Sequence, residues 1–385
     1  MYSFNNFRIA PGSKLMTSKL ITPTVFSRTI LLAVFALAVL ILTSRGQSPG
    51  AAAQGNDPPN RVIWLHYDYM VKEGADAHSH EPQLESIRMV VEAFRNHGIT
   101  LHIDPQHTAL PESPFLSVGE HNCAESVNFF DLKAQYFHPR GNHLWHYAIF
   151  GHDMDYNFVC GLAATGVAEI GGYNFIVTLG QFLSFIPPDF LPWIEGGTFM
   201  HELGHNLGML HGGVENHNWK PNYFSVMNYD YAYGIRSAAS PGSTVEVSRR
   251  LDYSDRALPT LDENHLDENV GVSADSNDIV NYICLPPGHS EPDYVGGQGP
   301  GTGPIDWNCN GLIESDTQAD VDLYEGHYFT LLTGYDDWAY VHAYLNTPRY
   351  RNGIVRQNPE VISCGHNRKR LDDALTTGAP FGRSK

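Results

Sequence analysis

Between residues 201 and 211 the chain reads His-Glu-Leu-Gly-His-Asn-Leu-Gly-Met-Leu-His, and this run constrains the molecule more than any other stretch of its 385 residues. On an α-helix, positions i and i+4 lie above one another on one face, so His201 and His205 can each aim a ring nitrogen at one ion about 2 Å away. Glu202 stands one residue round from His201, where a carboxylate reaches a metal-held water without replacing it. Gly208 accepts the positive φ of a sharp helix end, and the redirected chain returns His211 as a third ligand. Three protein ligands leave a fourth coordination position for water and substrate, the arrangement expected of a catalytic rather than a structural zinc.

Coincidence explains this poorly. Five specified positions at roughly one in twenty each give, over a chain of this length, a chance on the order of one in ten thousand. The residues 223–229 extend the pattern as Tyr-Phe-Ser-Val-Met-Asn-Tyr.

The two stretches together resemble the metzincin metalloproteases, whose extended zinc signature is followed by a Met-turn. The resemblance implies an α+β zincin: a twisted, mostly parallel sheet, an active-site helix and a C-terminal subdomain after the third histidine. It implies Met227 as an apolar floor beneath the three histidines. It also makes Tyr229 a fifth ligand or a donor to the reacting oxyanion, the alternative being a packed aromatic. The residue after the third histidine often separates metzincin subfamilies, and Gly212 matches none of the better-known choices, so the resemblance assigns no subfamily.

The N-terminus carries the next signal. Residues 30–42 form an uncharged apolar run preceded by Arg8, Lys14, Lys19 and Arg28, short for a spanning helix and suited to a signal-peptide core. Residues 1–53 are therefore read as a signal peptide, cleaved after Ala51-Ala52-Ala53, or alternatively as a retained N-terminal anchor. They hold five Lys or Arg and no acid, so the charge of −18 becomes 19 minus 42, or −23, without them. That balance disfavours nucleic-acid and anionic-membrane partners and suits a soluble exported protein, secreted or anchored by its apolar segment, while a protein or peptide substrate is what the metzincin resemblance implies.

The five cysteines show no Cys-x-x-Cys pair, which excludes a zinc ribbon or redox motif. In an exported chain one or two disulfides are expected, Cys284 with Cys309 first, since a Gly/Pro-rich loop joins them. An odd count leaves at least one thiol free.

Residues 54–60 read as a linker, and 61–285 as the catalytic domain. Strands are expected at 61–67, 100–104, 146–150 and 174–179, with a helix over 82–97 whose Leu84, Ile87, Val90, Val91 and Phe94 share one face and which Gly98 closes. The strand-helix-strand opening predicts a right-handed parallel crossover. The zinc helix should run from Pro192 or Thr198 to Leu207, burying Phe199, Leu203 and Leu207 and lining a cleft with its other side. His66, His102, His146 and His152, singly placed on strands or their ends, read as structural histidines, the alternative being a second metal site.

After the Met-turn, residues 251–255 and 261–268 form an acidic segment that reads as a solvated face, calcium binding being the alternative. Residues 286–304 read as a flexible Gly/Pro loop within a 286–345 region. This leads into Asp306-Trp-Asn308-Cys-Asn310-Gly-Leu312-Ile, the first eight positions of an EF-hand-type calcium loop. Thr317 stands where a bidentate Glu belongs, so Glu314, Asp316, Asp320 or Asp322 would have to complete the site, and an Asx-rich turn is the alternative. A helix is expected over 336–345, and 346–385 reads as a basic, solvated, mobile tail.

These readings converge on an exported zinc endopeptidase with Glu202 as general base and His201, His205 and His211 as ligands. The alternatives are a zinc amidase acting on non-protein amides such as peptidoglycan, and a non-enzymatic metal-stabilised binding or adhesion module.

Overall fold

A computed structural model describes residues 61–364, apart from 120–122, 124, 140, 157–158, 163, 181, 184–185, 290–294, 323–328 and 354–359. The leader or anchor, the linker and the last part of the basic tail lie outside the described residues. Among those described, no helix is long and apolar enough to cross a membrane.

The first half of the chain alternates strands with three helices. It begins with β1 (Val62–Lys72), β2 (His78–Ser79), α1 (Leu84–Asn96), β3 (Thr100–Ile103) and β4 (Ala109–Pro111). There follow β5 (Phe115–Ser117), β6 (Ser126–Asn128), α2 (Phe129–Tyr136), β7 (Trp145–Gly151), β8 (Asp153–Tyr156) and β9 (Val159–Leu162). Then come β10 (Gly166–Glu169), β11 (Asn174–Thr178) and α3 (Leu191–Asn206), the helix carrying the first two histidines. Beyond it lie β12 (Ile235–Ala238), β13 (Glu246–Arg250), β14 (Leu261–Asp262), β15 (Ile279–Cys284), β16 (Val295–Pro300), β17 (Leu331–Leu332), α4 (Asp337–Leu345), α5 (Pro348–Arg351) and β18 (Val361–Cys364).

The principal sheet runs β18-β10-β11-β7-β1-β2, with β3 and β4 also paired to β1. Pairings of β1 with β3, β4 and β7, and of β7 with β11, are parallel. The α+β architecture and mostly parallel sheet expected from the sequence are therefore present. β7 is buried at every residue and β11 at all but its first, which is why both read as near-continuous apolar runs rather than alternating ones.

α1 buries Ser86, Ile87, Val90, Ala93 and Phe94, the stripe that period 3.6 demands, against α3. Leu84, assigned to that stripe from sequence, is 84% exposed because it occupies the first helical residue and turns away from the contact. Phe94 packs edge-on against Tyr253 and Trp338, joining the first half of the chain to α4.

Four expectations are corrected. The chain beyond residue 345 is not simply a solvated tail, since 348–351 is helical and β18 pairs antiparallel with β10 at the sheet edge. Within the Gly/Pro stretch, 295–300 forms β16, antiparallel to β15. The acidic segment 251–268 is only partly a solvated face. Glu263 accepts from the backbone N–H groups of Val321 and Thr330, Glu268 from those of Trp307 and Glu314, and both carboxylates are fully buried. They serve as acceptors for loop amides that no strand satisfies. The fourth concerns α3, which is buried on all sides from Ile194 to Asn206, cleft side included.

Cys284 and Cys309 are disulfide-bonded, as the loop between them suggested. Cys123 is also in a disulfide, and Cys364 is a buried free thiol.

Candidate metal centre

α3 starts without a polar cap, with Pro192 in its first turn, a residue whose missing N–H costs nothing there. Its C-terminal end is fixed from the sheet: Gly171 donates its N–H to the His205 carbonyl (2.8 Å). The Asn206 amide donates to the carbonyls of Glu169 and Asn174 (3.0 and 2.9 Å), and its oxygen faces His146 Nδ1 at 3.1 Å. Gly208 follows at φ +94°, and the chain doubles back to His211.

Each histidine is held by its Nδ1. His201 Nδ1 lies 2.7 Å from the Val226 carbonyl, His205 Nδ1 2.8 Å from the Met209 carbonyl, and His211 Nδ1 2.6 Å from Asn216 Oδ1. Carbonyl oxygens only accept, so each Nδ1 carries the proton and each Nε2 presents a lone pair. His201 and His205 Nε2 face one another at 3.1 Å. Burial drives all three rings towards the neutral form, His201 to about 3 and His211 to about 4. Bare lone pairs at this separation repel, and a shared cation is what reconciles them; the three donors fit zinc.

Met227 is fully buried, and a side-chain carbon on Gly204 would lie 2.3 Å from its sulfur. The turn therefore seats directly under α3 because the helix has glycine there. Asn228 braces that turn, its amide donating to the carbonyls of Lys220 and Tyr223 and its oxygen accepting from the Trp219 N–H. Ser225 Oγ accepts from the Met227 N–H and donates to the buried Asp337 carboxylate at the start of α4. Asn216, Asn228 and Asp337 belong to this support, and the motif alone did not disclose them.

Tyr229 sits among the ligands, its ring centroid 5.6 Å from that of His201 and 4.8 Å from that of His211, with its hydroxyl hydrogen-bonded to Cys364. Burial raises Tyr229 well above the usual phenol range, so it is a donor. Glu202 is fully buried, and neither carboxylate oxygen has a hydrogen bond of ordinary geometry. Burial pushes its carboxyl well above the usual range, opposed by the neighbouring Cys364 thiol.

Cys364 overturns one expectation. Its Sγ lies 3.2 Å from the Nε2 atoms of His201 and His205 and 3.6 Å from that of His211. The fourth position, expected to be open, faces a side chain of this chain delivered by β18 from 153 residues beyond His211. Strand pairing made over such a separation leaves no local sequence signal.

The calcium-loop residues form a turn in which Asp306 accepts from the N–H groups of Asn310 and Gly311, Asn308 from that of Asn310, and Asn310 from that of Leu312. Glu314, one of the carboxylates named to complete the loop, accepts from the Asn308 and Asn310 amides. Thr317 instead pairs with Leu266 through the backbone.

The three-histidine set, the buried Met-turn and the mostly parallel sheet define a metzincin-like zincin. Residues 86–212 match the family described as Metallo-peptidase family M12B Reprolysin-like, so this region is that of a metzincin-type zinc metalloprotease. The chain has no match among curated proteins.

Proposed function

We propose that the protein is an exported zinc-dependent endopeptidase. The observation that carries the reading is the convergence of three neutral imidazole lone pairs beside a fully buried carboxylate, Glu202, that the Cys364 thiol also contacts. Bound zinc supplies a Lewis acid and brings the pKa of an associated water to about 7. Glu202 takes the proton from the attacking water and delivers it to the leaving amine. The Tyr229 hydroxyl donates to the oxyanion that develops at the peptide carbonyl. Export rests on the N-terminal apolar run and on the acidic balance of the rest of the chain.

Cleavage-site profiling on a peptide library, with zinc content measured in parallel, tests this. Glu202→Ala should keep the zinc of this centre and lose cleavage, and His205→Ala should lose both the zinc of this centre and cleavage. Undiminished cleavage by the Glu202→Ala protein would refute the assignment. The assays are run in the Cys364→Ala background as well, so that the thiol does not mask activity.

One observation favours a second reading. A closed set of three histidines and one cysteine is the ligand complement of a structural zinc, which would suit a non-enzymatic binding module. Absence of cleavage in the Cys364→Ala protein with zinc still bound would select it. A calcium ion at Asp306, Asn308, Asn310 and the Leu312 carbonyl, completed by Glu314, is a further part of the proposal, tested by calcium titration of the wild type against Asp306→Ala.

A further inference from the structure

We propose a second zinc site, built by His78, His80, Glu112 and His152 at the C-terminal ends of β1, β4 and β7. Four donor atoms from these residues lie within 4.8 Å of one another. Glu112 Oε2 is 2.9 Å from His78 Nε2 and 3.3 Å from His80 Nε2, and His80 Nε2 is 3.3 Å from His152 Nδ1. Ligands at 2.0–2.1 Å in a tetrahedron stand roughly 3.3 Å apart, so the spacing is that of a zinc shell.

The protonation pattern points the same way. His78 Nδ1 donates to the Asp76 carbonyl at 2.8 Å, which leaves Nε2 as its ligand atom. That Nε2 and Glu112 Oε2 are both buried and, despite their proximity, neither makes a directed hydrogen bond. A cation between them satisfies both. The backbone delivers the four side chains from three segments: His78 pairs with Lys72 and His80 N–H bonds the Met70 carbonyl, Glu112 N–H bonds the Val71 carbonyl, and the His152 carbonyl accepts from Gly180. Three nitrogens and one carboxylate oxygen suit zinc rather than calcium or magnesium. With four protein ligands the site is structural, tying the β1–β2 hairpin to β4 and the β7–β8 turn.

Zinc per chain, measured by elemental analysis of the full-length protein after equilibration with zinc and removal of the excess, reads this out. The wild type should hold two, His205→Ala one and His80→Ala one. Zinc should raise the unfolding midpoint of His205→Ala and leave that of the His80→Ala/His205→Ala double variant unmoved. Should His80→Ala not fold, Glu112→Gln keeps the shape and should show the same loss. One zinc in the wild type, or an unchanged count in the folded His80→Ala or Glu112→Gln protein, overturns the site. Loss of peptidase activity alone bears only on the other centre.

A second inference rests on β18 and on the peptidase reading above. The geometry points to the segment ending at Cys364 as an internal plug that keeps the enzyme latent. β18 adds antiparallel to β10, pairing Gly166 with Cys364 and Glu169 with Val361, while the N–H groups of Thr165 and Ile170 bond the carbonyls of Cys364 and Glu360. An extended peptide substrate would bind by adding a strand to the same edge. The Cys364 Sγ meanwhile faces all three Nε2 atoms and the Tyr229 hydroxyl. Substrate backbone and catalytic water would therefore both have to displace residues of this chain.

Full-length protein loaded with cobalt in place of zinc should show a thiolate-to-metal charge-transfer band that Cys364→Ala lacks. Iodoacetamide should label Cys364 more slowly with metal bound than after chelation. Cys364→Ala should cleave peptides at least tenfold faster than the wild type. Absence of the band, equal labelling with and without metal, or equal cleavage rates in the two proteins overturns the plug. Cleavage by neither protein, with the band present, instead removes the peptidase reading on which it rests and the plug with it.

Discussion

The Glu202 carboxylate packs directly over the backbone of Gly166: a Cβ there would fall 2.2 Å from Oε1 and 2.6 Å from Cδ. β10 thus fixes where the carboxylate proposed as general base sits, while its other side pairs with the edge strand β18. In Gly166→Ala the carboxylate must move while the three histidines, held through their Nδ1 atoms elsewhere, stay in place. A displacement near 1 Å costs about 10²-fold in turnover. Measured in the Cys364→Ala background, kcat should fall by about that factor with zinc content unchanged.

His211 depends on a single side chain, Asn216, for its ring orientation, whereas His201 and His205 are held by backbone carbonyls. Asn216→Ala should therefore lower zinc affinity, by about 10- to 100-fold for loss of such a partner. Competition with a chromophoric chelator measures it. Asn216→Asp restores the acceptor and should recover most of the affinity.

How much of this was legible follows from the reach of each contact. His201, His205, Gly208 and His211 occupy eleven consecutive residues, so helix geometry alone assembled them, and Met227 and Tyr229 came from a local turn. The parallel β1-α1-β3 unit was legible from two periodicities in succession. Cys364 was not, since its approach depends on β18 pairing with β10. The pair His78 and His80 did carry a signal, because alternate residues of an extended strand face one way. That signal lies in the spacing of His78 and His80, whereas Glu112 and His152 reach the cluster only through the sheet, which is why His152 read as a lone structural histidine. Burial of α3 on its cleft side escaped periodicity because the face that would line a cleft is covered by chain from far downstream.

Lys220 is a buried cation with three acceptors: the Gly212 carbonyl at 3.0 Å, Glu215 Oε1 at 2.8 Å and the Thr333 carbonyl at 2.7 Å. It closes the loop that follows the third histidine and ties it to the segment before α4. Lys220→Met keeps the stem but leaves two inward-facing carbonyls unpaired, each worth about 1–3 kcal/mol. Thermal or urea unfolding should show a loss of about 2–4 kcal/mol, and zinc should be released earlier in the transition than in the wild type.

Glu263 gives the molecule a stability change near neutral pH. Burial, reinforced by Asp322 and Asp320, pushes its carboxyl to about 7, against the hydrogen bonds from Thr330 and Val321 that favour the ionised form. Because the folded state holds this proton more tightly than the unfolded chain, folding is favoured by protonation. The stability tied to Glu263 is fully present below the ordinary glutamate range and is lost as pH rises through about 7. Val321 and Thr330 donate to different oxygens of Glu263, so Glu263→Gln keeps one acceptor, loses the other and removes the charge that Asp322 opposes. The lost acceptor costs the same at every pH, so the unfolding midpoint of the variant relative to wild type should be highest at pH 8 and fall steadily towards pH 5. A difference that instead grew on acidification would mean that Glu263 is ionised and favourably paired in the folded protein.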